Sequence, residues 1–388
     1  MKFIKDYSIE NKKVVLRCDL NVTIKDGIII DTTKIKESLE TIKYLIDKNC
    51  SIIILSHLGK VKSEEDKEKN SLKLVKEELE NLLNKEIYFS EEPKGAKLQE
   101  LASNLKPTEI LLVENTRHED YPEKLESKCN LELASFWASL GDIFVNDAFG
   151  TTHRKHASNY GISKYLDTYY GFLIKKELEG LKAVIEPTQP FTVIMGGAKV
   201  EDKIGIIKNL LDECNYLIVG GGIANTFLKA LNYEIGTSLY DEVYLNEIKE
   251  LYYNNKEKII LPKYVKVLNN KEVFTKSIND INKEDNILDI VFTDEFKEIL
   301  NKSETVFVNG TLGLYEKEEF KEGSLNLLTE LKSIDGKVII GGGDALASVN
   351  KLSDPSYYDF ISTGGGATLE YIKEKKLYLK FWLFCFLS

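Results

Sequence analysis

Residues 338–349 read VIIGGGDALASV: a short apolar run, three glycines, and then a segment rich in helix-forming residues. The same arrangement occurs at residues 217–227 (LIVGGGIANTF) and 360–368 (FISTGGGAT). A continuous apolar run is typical of a strand that is buried on both faces of a parallel sheet. Glycines after such strands allow a backbone to approach a phosphate closely. The repeated unit therefore predicts an α/β fold with anion-binding turns at the carboxyl ends of its strands.

Similar apolar runs occur along the whole chain and alternate with helical patterns, which predicts parallel sheets covered by helices. The predicted strands are Val14–Cys18, Ser51–Ser56, Ile110–Glu114, Ile143–Asn146, Phe191–Met195, Leu217–Val219, Lys258–Leu261, Thr305–Val308, Val338–Ile340 and Phe360–Ser362. Two prolines near residues 187–190 end a predicted helix at Gly171–Ile185, which would join two α/β halves. The polar segments Val61–Asn70 and Asn269–Glu284 are predicted to be solvated loops and helix faces.

Composition limits the classes of function. The 388 residues have a net charge of −10, which argues against a nucleic-acid partner. Five dispersed cysteines and a start without a signal-peptide pattern predict a cytoplasmic protein without disulfides. The apolar end, residues 377–388, is too short for a membrane span. We expect it either to pack against the body of the protein or to be sequence-specific noise, and we expect no membrane partner.

Rare polar residues cluster at strand ends in the first half. The three arginines and four histidines all lie within the first 156 residues, in the segments Arg17–Val22, Ser56–Lys60, Glu114–His118 and Asn146–His156. Arginine pairs with carboxylate and phosphate through a planar fork, so these converging strand ends indicate a pocket for a small, multiply charged anion. Each segment alone is also typical of a polar turn. Metal binding by the histidines is an alternative, but the usual ligand spacing is missing.

Glycine-rich turns dominate the second half. Residues 195–203 (MGGAKVEDK) are predicted to open a helix that carries Lys199 and Lys203 on one face. Asp344 is expected at a helix N-cap, either as a Mg²⁺ ligand beside a phosphate or simply as a cap. Glu316 would accept from a ribose hydroxyl or lie on the surface. No Walker A loop or dinucleotide fingerprint occurs, which argues against a dehydrogenase.

Taken together, the segments resemble the phosphoglycerate kinase family over about residues 14 to 372, in the order of the family. The matching segments are Arg17–Asn21, Ser56–Gly59, Asn115–Arg117, Asn146–Thr151 with His153 and Arg154, Gly196–Lys199, Gly220–Gly222, Asn309–Gly310, Gly341–Asp344 and Ser362–Gly366. The resemblance implies two Rossmann-like domains separated by a cleft. They would be a triose-phosphate domain at 1–172 with residues 367–388 crossing back to it, a linking helix at 173–189, and a nucleotide domain at 190–366.

The resemblance also implies a monomer that transfers a phosphoryl group reversibly between 1,3-bisphosphoglycerate and ADP, with Mg²⁺, to give 3-phosphoglycerate and ATP. The triose substrate would be held by Asp19, Leu20, Asn21, Lys34, His57, Leu58, Gly59, Lys60, Arg117 and Arg154. The nucleotide would be held by Gly197, Ala198, Lys199, Lys203, Gly221, Gly222, Leu239, Asn309, Glu316, Gly342, Gly343, Asp344 and Ala345, with Asp344 also on the metal. Charge on the moving group would be stabilised by Lys34, Lys199, Gly343 and Gly366.

Several positions depart from the family pattern. Lys34 replaces an arginine that touches the transferring phosphoryl group, and Lys60, Thr311 and Ala345 replace an arginine, a proline and a threonine. The segment Ile287–Phe292 differs from the family's Gly-Leu-Asp-x-Gly-Pro, and the end of the chain is unlike the family's ending. These departures leave a second hypothesis open, a catalytically weakened relative that binds nucleotide or triose phosphate.

Overall fold

The structure is a computed structural model that describes residues 1–375 and residue 377. The chain divides into two compact units, Met1–Leu178 and Glu179–Lys375, so the boundary falls within the predicted linking helix. Leu377 is buried, whereas the expected packing of residues 378–388, and most of the expected return of 367–388 to the first domain, lie outside the described residues. Within the described part, no helix is both long enough and apolar enough to cross a membrane.

The first unit is built on a six-stranded parallel sheet. The sheet contains β1 Lys13–Cys18, β4 Ser51–Leu55, β5 Tyr88–Ser90, β6 Ile110–Val113, β7 Ile143–Asp147 and β8 Thr168–Tyr170. The unit also contains a separate hairpin, formed by β2 Ile24–Lys25 and β3 Ile28–Ile29. Its helices are α1 Thr33–Asp47, α2 Glu64–Lys69, α3 Lys73–Leu83, α4 Ala96–Asn104, α5 Leu131–Ala138 and the first half of α6 Phe172–Ile185, which continues into the second unit. The strand order is β5-β6-β4-β1-β7-β8.

The apolar strands are buried on both faces, as their sequences predict. Alternate residues of β1 point to opposite sides, so Val14 and Leu16 join one core cluster with α1 and α3, whereas Val15 joins another. The second cluster contains the fully buried Trp137 of α5. This double-sided packing fixes the strands as a rigid base and leaves only their ends available for polar chemistry.

The second unit repeats this plan with a sheet of order β11-β10-β9-β15-β16-β17. This sheet contains β9 Phe191–Met195, β10 Tyr216–Val219, β11 Ile259–Ile260, β15 Thr305–Asn309, β16 Lys337–Gly341 and β17 Phe360–Ser362. The unit also contains a separate sheet of β12 Tyr264–Asn269, β13 Glu272–Ser277 and β14 Asn286–Ile290. Its helices are α7 Ile204–Glu213, α8 Gly221–Ala230, α9 Leu245–Asn254, α10 Asp294–Asn301, α11 Glu322–Leu331, α12 Gly343–Leu352 and α13 Gly366–Glu374.

All ten predicted strands and the joining helix are present at nearly their predicted positions. The prediction that segment 269–284 forms solvated loops and helix faces is wrong, because the segment contains the exposed strand β13. Strand β13 pairs antiparallel with β12, which also pairs antiparallel with β14. Its side chains face water and give no buried apolar run, which is the signal that the other strands provide. Segment 61–70 contains the short helix α2, which Ser63 caps through Asp66 N.

Candidate active site

The polar segments of the first unit meet at one edge because their strands lie side by side. Strand β1 lies between β4 and β7, with Arg17 level with Leu55 and Asn146, and Cys18 level with Asp147. The residues that follow these strands are therefore neighbours. This register explains why four segments that are far apart in sequence build one polar site.

Two direct contacts join predicted substrate residues from different segments. Lys34, in the first turn of α1, places Nζ 3.0 Å from Asp19 Oδ2. Asn21 Oδ1 accepts from Gly59 N at 2.8 Å. The lysine that replaces the family's arginine therefore brings its charge to the strand ends, where Asp19 holds it, but it presents one nitrogen instead of a fork.

His57 lies among cations. It is almost fully buried, and Arg17 Nη2 lies 3.2 Å from its Nδ1. Burial, and then the charges of Arg17, Arg117, Lys34 and His156, hold the pKa of His57 well below its usual range. His57 is therefore neutral at pH 7, and a neutral imidazole can donate one hydrogen bond without carrying a full charge.

Arg117 is the strongest candidate for anion binding in the first unit. Its backbone N donates to Asn115 Oδ1 at 3.0 Å, and its Nη1 lies 3.4 Å from Asp120 Oδ2. Its Nε is buried and has no acceptor among the described residues. A buried donor without a partner costs free energy, so this geometry fits a guanidinium that a bound anion completes.

Arg154 lies on the exposed side of the same cluster. Its Nε donates to His153 Nε2 at 2.9 Å. Burial and the neighbouring arginines lower the pKa of His153 to about 4 and that of His156 to about 3. A multiply charged anion bound here would reduce the repulsion between the arginines that surround these neutral histidines.

The remaining predicted substrate residues offer a ligand either backbone atoms alone or an exposed side chain. Leu20 and Leu58 are buried in the core, so only their backbone is available to a ligand. Leu58 N and O are both bonded to the Asn115 side chain, at 3.1 and 2.7 Å. The Lys60 side chain is exposed, and its carbonyl accepts from Asn70 Nδ2.

The glycine turns of the second unit also end in one row. Asn309 of β15 is level with Met195 of β9 and Gly341 of β16, and Gly341 is level with Ser362 of β17. A pocket of about 240 Å³ lies at the turns that follow β9 and β10 and reaches Asp344. It is lined by Gly197, Ala198, Gly221, Gly222, Asn225, Leu239, Ile287, Leu288, Thr311, Gly313, Leu314, Tyr315, Glu316 and Asp344.

Glycine is required where this pocket is tight. A Cβ on Gly222 would overlap the carbonyl oxygen of Ala198, and a Cβ on Gly221 would lie 2.8 Å from Gly197 O. Gly197 and Gly342 have φ values of +111° and +100°, which side chains rarely adopt. These turns thus form a floor of backbone atoms that can come close to a ligand.

The turn at 196–203 differs from its prediction. Helix α7 begins only at Ile204, so Lys199 and Lys203 do not share a helical face. Lys199 is exposed, whereas Lys203 turns inward and donates from Nζ to Gly196 O at 2.5 Å and Asn309 O at 3.2 Å. Burial lowers the pKa of Lys203 to about 8. The Asn309 side chain donates to Gly341 O at 2.7 Å, so Lys203 and Asn309 link the glycine turns through hydrogen bonds to their backbone carbonyls.

The other glycine runs start helices as predicted, with α8 beginning at Gly221, α12 at Gly343 and α13 at Gly366. The N-cap of α12 is Gly342 and not Asp344, which is the second helical residue and is exposed. Asp344 therefore has no capping role, because glycine with positive φ already supplies the turn. Ala345 is buried in the core.

The environment of Gly343 gives a test of this site. A Cβ on Gly343 meets no atom within 4 Å, so the protein itself does not require glycine there. We expect Gly343→Ala to preserve or slightly raise stability, by about 0.4–1 kcal/mol. We expect it to raise the nucleotide KM about 5- to 150-fold, from the roughly 1–3 kcal/mol that an extra methyl costs in a packed contact.

The control is Gly205→Ala in α7, where the nearest atom to an added Cβ is Lys373 Cε at 3.8 Å. This change should leave the KM for nucleotide unaltered. An unchanged KM in Gly343→Ala would mean that the ligand does not approach α12. Thermal melting and steady-state kinetics on both variants provide the measurement.

The donor set fits a magnesium ion that is held mainly by a nucleotide. Among the described residues, no three His, Cys, Asp or Glu side chains converge as a metal site. Asp344 and Glu316 are the carboxylates that line the pocket. Mg²⁺ is usually bound by one or two carboxylates together with substrate phosphates, so a single carboxylate at this position is sufficient.

Several site residues were not predicted from sequence. In the second unit, Asn225, Leu288 and Leu314 line the pocket, and Asn225 Nδ2 donates to Leu239 O at 3.1 Å. In the first unit, Glu126 and Ser158 are buried beside Arg17. Asn225 follows a glycine run and could have been found, whereas Glu126 lies in a charged stretch without a pattern.

Comparison with known proteins agrees with this geometry. The family model described as phosphoglycerate kinase matches residues 4–375. The chain belongs to the phosphoglycerate kinase family. The curated phosphoglycerate kinase of Macrococcus caseolyticus is 44% identical over 384 residues, which is 97% of each chain. That of Staphylococcus epidermidis is 43% identical, also over 97% of each chain.

Solved structures of the family share the fold. The phosphoglycerate kinase of Coxiella burnetii superposes with a TM-score of 0.83 at 34% identity, covering 96% of both chains. That of Pyrococcus horikoshii gives 0.85 at 28% identity, covering 98% of this chain and 97% of the other. The chain is thus a phosphotransferase of this glycolytic family, with nucleotide and other small molecules as substrates.

Proposed function

We propose that this protein transfers a phosphoryl group reversibly from 1,3-bisphosphoglycerate to Mg-ADP, giving 3-phosphoglycerate and Mg-ATP. The observation that supports it most is Arg117, whose buried Nε finds no acceptor in the described part of the chain, together with the neutral His57. A carboxylate or phosphate is the acceptor that a guanidinium matches best. A monomer in the cytoplasm is part of the proposal.

The triose substrate is held by the first unit in this proposal. Asp19 and Asn21 accept hydrogen bonds from its hydroxyl, and Arg117, Arg154 and His57 donate to its anionic groups. Asn115 fixes Arg117 through the backbone, and Lys34 is fixed by Asp19, so both cations are oriented before the substrate arrives. Preorganised donors of this kind need little rearrangement during reaction.

The nucleotide is held by the second unit. Its base lies against Leu239, Leu288 and Leu314, its ribose donates to Glu316, and its phosphates lie along the glycine turns at 197, 221 and 342–343. Mg²⁺ on Asp344 would neutralise phosphate charge. Lys199 and the backbone amides at Gly343 and Gly366 stabilise charge on the moving group. The reaction itself needs mainly alignment of donor and acceptor.

The decisive experiment measures 3-phosphoglycerate-dependent ADP formation from Mg-ATP, with the product removed by a coupled dehydrogenase. We expect turnover in or above the range of kinases, about 1–100 s⁻¹. We expect Lys34→Arg to change kcat by only a few-fold, because Lys34 Nζ already places its charge 3.0 Å from Asp19.

Lys36→Arg provides the matched control, because it makes the same exchange two residues away on α1. It should leave turnover unchanged. Absence of turnover despite nucleotide binding would overturn the proposal in favour of a binding protein. Rescue of an inactive chain by Lys34→Arg would show that the missing guanidinium is the cause.

A further inference from the structure

We propose that Arg17 is a positioning residue that fixes the tautomer of His57, and that Ser158 and Glu126 hold Arg17 in the orientation this requires. The inference rests on the proposed substrate site, to which His57 belongs. It assigns a role in that site to three buried residues, none of which touches the substrate in the proposal above.

The guanidinium of Arg17 is surrounded by acceptors. The residue is fully buried in β1, where Nε donates to Ser158 Oγ at 2.8 Å and Nη1 donates to Cys18 O at 2.5 Å. Nη1 also lies 3.4 Å from Leu55 O. The remaining nitrogen, Nη2, faces His57 Nδ1 at 3.2 Å. The acceptors on Nε and Nη1 therefore fix the plane of the fork and direct Nη2 at the imidazole.

This contact determines which ring nitrogen of His57 carries hydrogen. A guanidinium has five N–H donors and no acceptor, so His57 Nδ1 must be the acceptor. A neutral imidazole with an accepting Nδ1 carries its proton on Nε2. His57 then offers a neutral N–H donor, which favours an anionic oxygen. The other tautomer would present a lone pair from Nε2 and repel that oxygen.

Glu126 and Ser158 complete the support. Glu126 accepts from Ser158 Oγ, and its Oε2 accepts from Ser158 N at 2.9 Å. Because Ser158 Oγ donates to Glu126, its lone pairs are left to accept from Arg17 Nε. The buried carboxylate balances the buried guanidinium across the serine, since a buried charge without a counter-charge would be costly.

The choice of arginine follows from this geometry. Arginine occupies 3 of the 52 lysine and arginine positions, and one of these three is the fully buried position 17. A lysine there has three N–H donors on a single nitrogen, which cannot replace the three separate positions from which Nε, Nη1 and Nη2 reach Ser158, Cys18 and His57. At the partly exposed position 34, a lysine reaches Asp19 with a single contact.

Nitrogen NMR of the ring tests the inference without using activity. The chain has four histidines, so ¹⁵N-histidine labelling with His57→Gln as the assignment variant identifies the signals of His57. We expect one pyrrole-type nitrogen at Nε2 and one pyridine-type nitrogen at Nδ1 at pH 7. A protonated Nδ1, or averaging between tautomers in the native chain, would overturn the inference. Because the signal does not depend on turnover, an inactive chain would refute the proposed function alone.

Variants test the role of the supporting residues. Arg17→Lys also removes bonds from the core. Ser158→Ala is more informative, because it leaves the guanidinium in place and removes the acceptor of Nε together with one donor to Glu126. We expect it to introduce tautomer averaging at His57 and to raise the KM for 3-phosphoglycerate about 3- to 10-fold, as for one lost buried hydrogen bond. The KM for ATP should not change.

The control is Ser303→Ala in the second unit, another buried serine, whose Oγ donates to Ile299 O at 2.8 Å. It should alter neither the NMR signals of His57 nor the KM for 3-phosphoglycerate. If Ser158→Ala raises both KM values together while His57 keeps its single tautomer, Ser158 is merely structural and the inference fails.

Discussion

Arg117→Lys is expected to lower kcat/KM for 3-phosphoglycerate about 10- to 150-fold while leaving the KM for ATP nearly unchanged. The range corresponds to the roughly 1.5–3 kcal/mol of a hydrogen bond to a charged group. Lysine keeps the positive charge, so the expected loss reflects the planar fork and not electrostatics alone. The measurement is steady-state kinetics with each substrate varied in turn.

The physical reason lies in how Arg117 is held. The strand β6 ends at Val113, and the 3₁₀ turn that follows ties Arg117 N to Asn115 Oδ1 and Nη1 to Asp120. These contacts leave Nε as a buried donor that has no partner among the residues the structure describes. A lysine at this position would present one nitrogen that either pairs with Asp120 or reaches the substrate, but does not do both.

The matched control makes the opposite exchange on a neighbouring segment. Lys94 is exposed and pairs with Glu119 at 2.6 Å, within the same 3₁₀ turn that carries Arg117. Lys94→Arg should leave both KM values unchanged. Equal losses for 3-phosphoglycerate and ATP in Arg117→Lys would indicate a general structural defect and contradict a role in triose binding.

The sequence was most informative where one local signal determines structure. Buried parallel strands are continuous apolar runs, so the order of elements in both units could be predicted without any long-range information. The glycine runs likewise predicted the starts of α8, α12 and α13. Strand β13 was missed because its exposed side chains carry no such signal, and the start of α7 was misplaced because a glycine turn does not reveal its length.

The site was only partly predictable for a different reason. Residues at strand ends, such as Asn21 and Arg117, can be identified from sequence because parallel strands end together. Glu126 and Ser158 enter the site through tertiary packing, since they lie 32 residues apart and meet in the core beside Arg17. No periodicity relates such residues, so their connection to His57 appears only in the structure.

The stability of the first unit should fall as pH is lowered below about 6.5, because its histidines are neutral when folded. Burial, together with Arg117, Arg17 and Arg154, lowers the pKa of His156 from 6.5 to about 3. At pH values between these two pKa values, His156 is protonated in the unfolded chain and neutral in the folded chain. Unfolding therefore becomes more favourable as pH falls.

For His156 alone this linkage amounts to about 2 kcal/mol between pH 7 and pH 5, at roughly 1.4 kcal/mol per pH unit. His156→Gln removes the titrating group, so the variant should lose about 2 kcal/mol less than the native chain over that interval. Urea unfolding at both pH values, followed by circular dichroism, measures the difference. Carboxylates that titrate in the same range affect both proteins equally and cancel.

Ser303→Ala in the second unit separates linkage from simple destabilisation, because that unit contains no histidine. It should lower stability by the same amount at pH 7 and at pH 5. If His156→Gln also changed the free energy of unfolding by the same amount at pH 7 and at pH 5, His156 would titrate near its ordinary pKa in the folded protein. The cationic cluster would then be less dense than its geometry indicates, and the argument that the site is completed by an anion would lose its electrostatic basis.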